Sequence, residues 1–172
     1  MDKLLKIKQQ KIDILQKYGG WGKSIKEGEN LLDVLGENTG LDNLEGDCLI
    51  SPKTRILINT NEIKSPIYLN YNFELPIVEL LLDKNNFVIY TTKHIYSVRN
   101  EIIKKIEYEE IIGIDENSIN GGLYNNPDNL SCFHIMLITS NENKIPITIE
   151  HGISFRPILY FLATTINSKK VL

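Results

Sequence analysis

Three histidines, two cysteines and a run of glutamates are the side chains in this sequence best suited to chemistry. His94, His134 and His151 are far apart, and none stands near another histidine or a cysteine at metal-ligand spacing. His134 lies inside the apolar run "CFHIMLIT" and reads as a structural or outward-facing strand residue. Cys48 and Cys132 lack the flanking pattern of a nucleophilic thiol. Glu107, Glu109 and Glu110 could serve as acid–base carboxylates, but a polar corner between strands accounts for them more simply. Neither "GGWGK" nor "NGGL" has the glycine spacing and Lys-Ser/Thr ending that cradle a phosphate. The expectation is a chain with no catalytic set, no metal site and no cofactor.

Charge offers more than catalysis does. Residues 27–50 carry seven acidic groups and no lysine or arginine, whereas residues 1–26 carry seven lysines against Asp2 and Asp13. An acidic stretch of this kind steers encounter with a basic partner. Asp42, Glu45 and Asp47 are its candidate contacts. The net charge of −3 argues against a general nucleic-acid binder, which needs a basic face to displace counterions, but leaves room for a local basic patch. Lys104 and Lys105 are consecutive in a strand and point to opposite faces, so a lipid-headgroup cluster would need Lys93, Arg99 and the N-terminal lysines as well. Leu123 and Tyr124 follow paired glycines in the polar loop 117–131. They are the candidate apolar tip of a mobile binding loop.

The elements that would position these residues divide into a helical and a β part. Leu4, Ile7, Ile14 and Tyr18, broadened by Leu5, Ile12 and Leu15, predict a helix over 3–18 with lysines on its remaining surface. "GGWG" ends it, and "GENLLDVLG" reads as a short helix in the acidic stretch. After Pro52 the pattern alternates. "RILIN" predicts a strand, and "IYLNYNF" a half-buried one with Ile67, Leu69, Tyr71 and Phe73 inward. "IVELLL", "FVIYT", "HIYSV", "IIKKIEY" and "IIGID" follow as an antiparallel meander, and Gly113 marks a bulge or a close backbone contact. "CFHIMLIT" and "KIPITIE" form a hairpin whose second strand, holding Pro146, is an edge strand or a bulged one. Residues 155–168 close the chain as a helix. Ser154 caps it, Pro157 stands in its first turn, and Phe155, Ile158, Leu159, Leu162 and Ile166 form its apolar stripe.

Two divisions follow: a charge-segregated helical extension over 1–50 and a β domain over 51–172. The predicted class is mostly β with α (α+β), a strongly bent antiparallel sheet capped by the C-terminal helix. "VIYTTKHIYSV" followed by "KKIEYEEIIGI" resembles the bacterial pleckstrin-homology-like domains. Thr91, Lys93, His94, Ile95, Tyr96, Tyr108, Glu109 and Ile111 carry that resemblance, although the family usually has arginine where His94 stands. It implies a PH-like barrel that binds peptides, proteins or lipids, with no catalytic residues attached.

Function is therefore expected to be non-enzymatic protein binding, in a specific form an immunity-type toxin inhibitor acting through its acidic face. The alternative is a membrane or lipid adaptor using the basic N-terminal helix and barrel rim. No run reaches the ~18 apolar residues that span a bilayer, and no secretion signal is evident. Two cysteines are then expected as reduced thiols in the cytoplasm.

Overall fold

A computed structural model describes residues 2–18, 48–49, 53–58, 61–118, 132–150 and 155–167. Its elements run α1 (Asp2–Tyr18), β1 (Cys48–Leu49), β2 (Thr54–Ile56), β3 (Pro76–Asp83), β4 (Asn86–Thr91), β5 (His94–Arg99) and β6 (Ile102–Glu107). After a 3-10 turn at Tyr108–Glu110 come β7 (Ile111–Ile114), β8 (Cys132–Thr139), β9 (Lys144–Glu150) and α2 (Phe155–Asn167).

The strands form two antiparallel sheets instead of the predicted bent barrel. One has six strands in the order β1 to β6, the other three in the order β7-β8-β9. The break lies at Tyr108. Its neighbours Glu109 and Glu110 are exposed, but its own ring is buried and meets Phe161 of α2 edge to face, with centroids 5.9 Å apart. Drawing that ring into the core turns the chain out of the first sheet. Ile111 then pairs with Thr139 of β8, and among the described residues β6 has β5 as its sole strand partner. Among the described residues the sheet has two edges and does not close, so they do not form the PH-like barrel expected from the resemblance.

Within that correction, the meander is as anticipated. β3 to β6 pair in sequence order, all antiparallel. The register of β7 on β8 shifts between Ile111 and Gly113, the bulge expected at the glycine. β9 is an edge strand, with Pro146 opposite Met136, where a missing N–H is tolerated. Cys132 is partly buried at the start of β8.

Main-core side chains come from every layer: Ile12 and Leu15 of α1, Val78, Leu80, Val88, Tyr90, Ile95 and Ile106 of the large sheet, Ile135, Leu137, Ile147 and Ile149 of the small one, and Ile158, Phe161, Leu162 and Ile166 of α2. The helix α1 packs along α2. Its buried stripe, Lys8, Ile12 and Leu15, is rotated from the expected one, since Leu5 is exposed and a lysine is buried. Lys8 Nζ donates to Asn61 Oδ1 at 2.9 Å, and Lys11 Nζ lies 3.4 Å from the centroid of the Tyr108 ring. Long lysine stems cover apolar surface while their charged ends find a dipole or a π face.

A second cluster occupies the opposite face of the large sheet, with Phe87, Ile89, Tyr96 and Val98 around Leu69. Burial on both faces explains why "FVIY" is a continuous apolar run.

Candidate functional site: an anchored aromatic strap

Residues 61–75 cover this second face. The expected strand at 67–73 does not form. Asn70 diverts the backbone: its carbonyl accepts from Phe73 N at 2.9 Å and Glu74 N at 3.1 Å, and its Oδ1 accepts from Asn72 N at 3.1 Å. Asparagine side chains compete in this way with sheet pairing. Leu69 is buried, but Tyr71 and Phe73, expected to share its face, point to solvent.

Both ends of the strap are tied by buried carboxylates of the sheet or its approach. Glu79, in β3, accepts from Lys64 N at 2.8 Å, Ser65 N at 2.7 Å and Ser65 Oγ at 2.6 Å, and pairs with Arg55 at 2.6 Å. Such a carboxylate has its lone pairs filled, and its burial is stabilised by a charged partner. At the other end, Glu74 accepts from Thr91 Oγ1 at 2.7 Å, His94 Nδ1 at 2.8 Å and Tyr96 Oη at 2.5 Å. Burial alone would raise the Glu74 pKa, but the bonds from Tyr96, His94 and Thr91 outweigh it and hold the group below the ordinary value. An ionised carboxylate only accepts, so the proton between the pair sits on His94 Nδ1. Leu75 and Thr92 complete the tie through Leu75 N to Thr92 Oγ1 at 3.0 Å and Thr92 N to Leu75 O at 2.8 Å.

Between these anchors the strap exposes aromatics. Tyr68 is 88% exposed and Phe73 63%, with Tyr71 about half so. Three aromatic rings within six residues, facing water from a backbone pinned at both ends, have the composition of a recognition surface.

The Glu74–His94 pair also opens on a cleft of about 380 Å³, lined by Lys11, Lys93, His94, Glu107 and Tyr108 together with Thr92 and Thr165. An oriented imidazole is half of a base–nucleophile device. The two threonine hydroxyls beside it are engaged: Thr165 Oγ1 donates to Phe161 O at 2.7 Å, and Thr92 Oγ1 accepts from Leu75 N. His94 Nε2 stands 3.6 Å from Glu107 Oε1, beyond hydrogen-bond reach.

The contacts expected at Asp42, Glu45, Asp47, Leu123 and Tyr124 all lie outside the described residues, as does His151. Lys104 and Lys105 do take opposite faces. Lys104 borders a groove with Arg99, whereas Lys105 Nζ lies 5.8 Å from the Tyr96 ring. Among the described residues, no three His, Cys, Asp or Glu side chains group as a metal site, and no helix is long and apolar enough to cross a membrane. Sequence reading missed the strap because "IYLNYNF" alternates like a strand. Pro66 before it and the two asparagines inside it were the available signals. No protein-family model matches the chain, and neither a curated protein nor a solved structure does.

Proposed function

We propose that this chain is a non-enzymatic protein-binding module and that the 61–75 strap is its contact surface. One observation carries the reading: Tyr68 and Phe73 are exposed on a backbone whose two ends are fixed by buried glutamates. A pinned loop loses little conformational entropy on binding, so its aromatic area converts efficiently into affinity. The acidic run with Asp42, Glu45 and Asp47 adds long-range attraction for a basic partner. A cytoplasmic setting would keep Cys48 and Cys132 reduced.

The test pairs Tyr68→Ser/Phe73→Ser with the parent protein in affinity capture from the source lysate and in flotation with anionic vesicles. A protein retained by the parent and lost with the double variant supports the reading. Retention that ignores both substitutions moves the contact elsewhere. Binding to vesicles without a protein partner replaces the module with a lipid adaptor.

A further inference from the structure

On the main-core side of the large sheet, a groove of about 250 Å³ lies between the β5–β6 hairpin and residues of β8 and β9. Ser97 faces Lys104 across the hairpin, and Arg99 faces Ile102. The opposing wall is His134, Pro146 and Thr148, and Ser97 Oγ donates to Pro146 O at 3.3 Å where the two sheets meet.

Two properties of this groove are unusual together. Arg99 and Lys104 are both positively charged, and among the described residues neither makes an ion pair. Beside them the groove offers some apolar surface: Ile102 is 67% exposed, and Pro146 offers a ring without an N–H. Two cations on one face of a hairpin repel each other, and the Ile102 side chain beside them stands mostly in water. One occupant offsets both.

We propose that the groove binds a small amphipathic carboxylate, with the anionic head between Arg99 and Lys104 and the apolar body on Ile102 and Pro146. Guanidinium geometry suits a carboxylate, which takes two parallel N–H bonds. The volume lies below the ~300–1,000 Å³ of sites for drug-sized ligands, so the occupant is small. His134 reports the field there: partial desolvation and then the Arg99 charge push its pKa down, while its Nδ1 lies 3.1 Å from Thr148 Oγ1. A bound anion reverses the electrostatic part.

Octanoate, octanol and inorganic phosphate, titrated separately into the full chain and followed by NMR, test this assignment. Octanoate should shift the Ile102 methyl and His134 imidazole resonances and raise the His134 pKa. Octanol and phosphate should each bind more weakly, since one lacks the charge and the other the apolar body. Arg99→Gln/Lys104→Gln should weaken octanoate binding about tenfold or more, the scale of a lost charge-assisted bond. Both residues are exposed, so thermal unfolding should not change. Ile102→Ser keeps the charges and should also weaken binding. Octanoate binding equal to that of octanol, or equal to that of phosphate, overturns the proposal. So does affinity untouched by the double Gln variant.

Discussion

Tyr96 Oη donates to Glu74 Oε1 at 2.5 Å, across the junction between the strap and the strand it covers. The bond has opposite consequences for its two partners. Burial and then the nearby carboxylate push the Tyr96 phenol up, so it stays a donor, while Glu74 is held ionised below its ordinary value. The strap's C-terminal end is thus fixed by a charge that must remain a charge.

Stability should therefore fall in acid through Glu74. In the unfolded chain this glutamate takes up its proton near its ordinary value of 4.5, and in the folded protein only at lower pH. The contribution is complete above 4.5 and is lost as pH falls from there through the folded pKa. Asp83 and Asp115 are also held low, by Asn86 and Lys144 respectively, and contribute in the same acid range. Glu74→Gln isolates the first term. At pH 7 it should cost about 1.5–3 kcal/mol in urea unfolding, the scale of a bond to a charged group. The gap from the parent should narrow toward pH 3. A constant gap across that range would place the loss in packing instead.

The strap should separate stability from contact. Leu69 is 3% exposed within the second cluster, whereas Tyr68 beside it is almost wholly in water. Leu69→Ala should cost about 2–5 kcal/mol as a core truncation, and Tyr68→Ala within about 0.5 kcal/mol of nothing. Denaturant midpoints of the two variants decide it. Equal losses would mean that the strap packs differently from its description.

The paired strands of the meander were legible because local pattern and tertiary burial agree there, whereas the barrel expected from them does not form. "FVIYT" to "IIKKIEY" needed only short turns to become paired strands, and Asn100 and Glu101, at φ of 49° and 68°, supply one of them. Two places misled. Tyr108 follows the run of β6 as though the sheet continued, yet its contact with Phe161, 53 positions along the chain, sends the next strand to another sheet. Tyr71 and Phe73 alternate with asparagines as a strand would, and only the turn at Asn70 exposes them. The polar ties were unreadable for a similar reason. Glu74 meets His94 at a separation of 20 residues, and Glu150 reaches Thr54 Oγ1 at 2.6 Å over 96, so no local spacing announces either pair.

α2 should show a graded response along its buried stripe. Phe161 and Leu162 are fully buried, whereas Leu159, expected in the core, is half-buried at its margin. Leu162→Ala should cost about 2–5 kcal/mol, and Leu159→Ala clearly less, because surrounding water fills part of the space the side chain leaves. Guanidinium unfolding of both variants checks the order. A larger loss at Leu159 would mean that the helix is rotated.

Tyr90 and Tyr108 flank Phe161, each edge to face with it, at centroid separations of 6.1 and 5.9 Å. Both hydroxyls are buried without a hydrogen-bond partner among the described residues. Burial pushes both phenols up, so neither titrates near neutral pH. A buried, unbonded hydroxyl carries a desolvation cost of about 1–3 kcal/mol with no bond to offset it. Tyr90→Phe should consequently leave the fold equally stable or raise its stability by about 1 kcal/mol, within that same cost. Tyr108→Phe should behave likewise, since phenylalanine keeps the ring face on which Lys11 Nζ rests. Thermal unfolding of each variant and of the pair measures this directly. A loss above about 1 kcal/mol in either single variant would show that its hydroxyl makes a bond in solution, the net worth of one being of that size. Additive gains in the pair would show that the two sites relax independently on either side of Phe161.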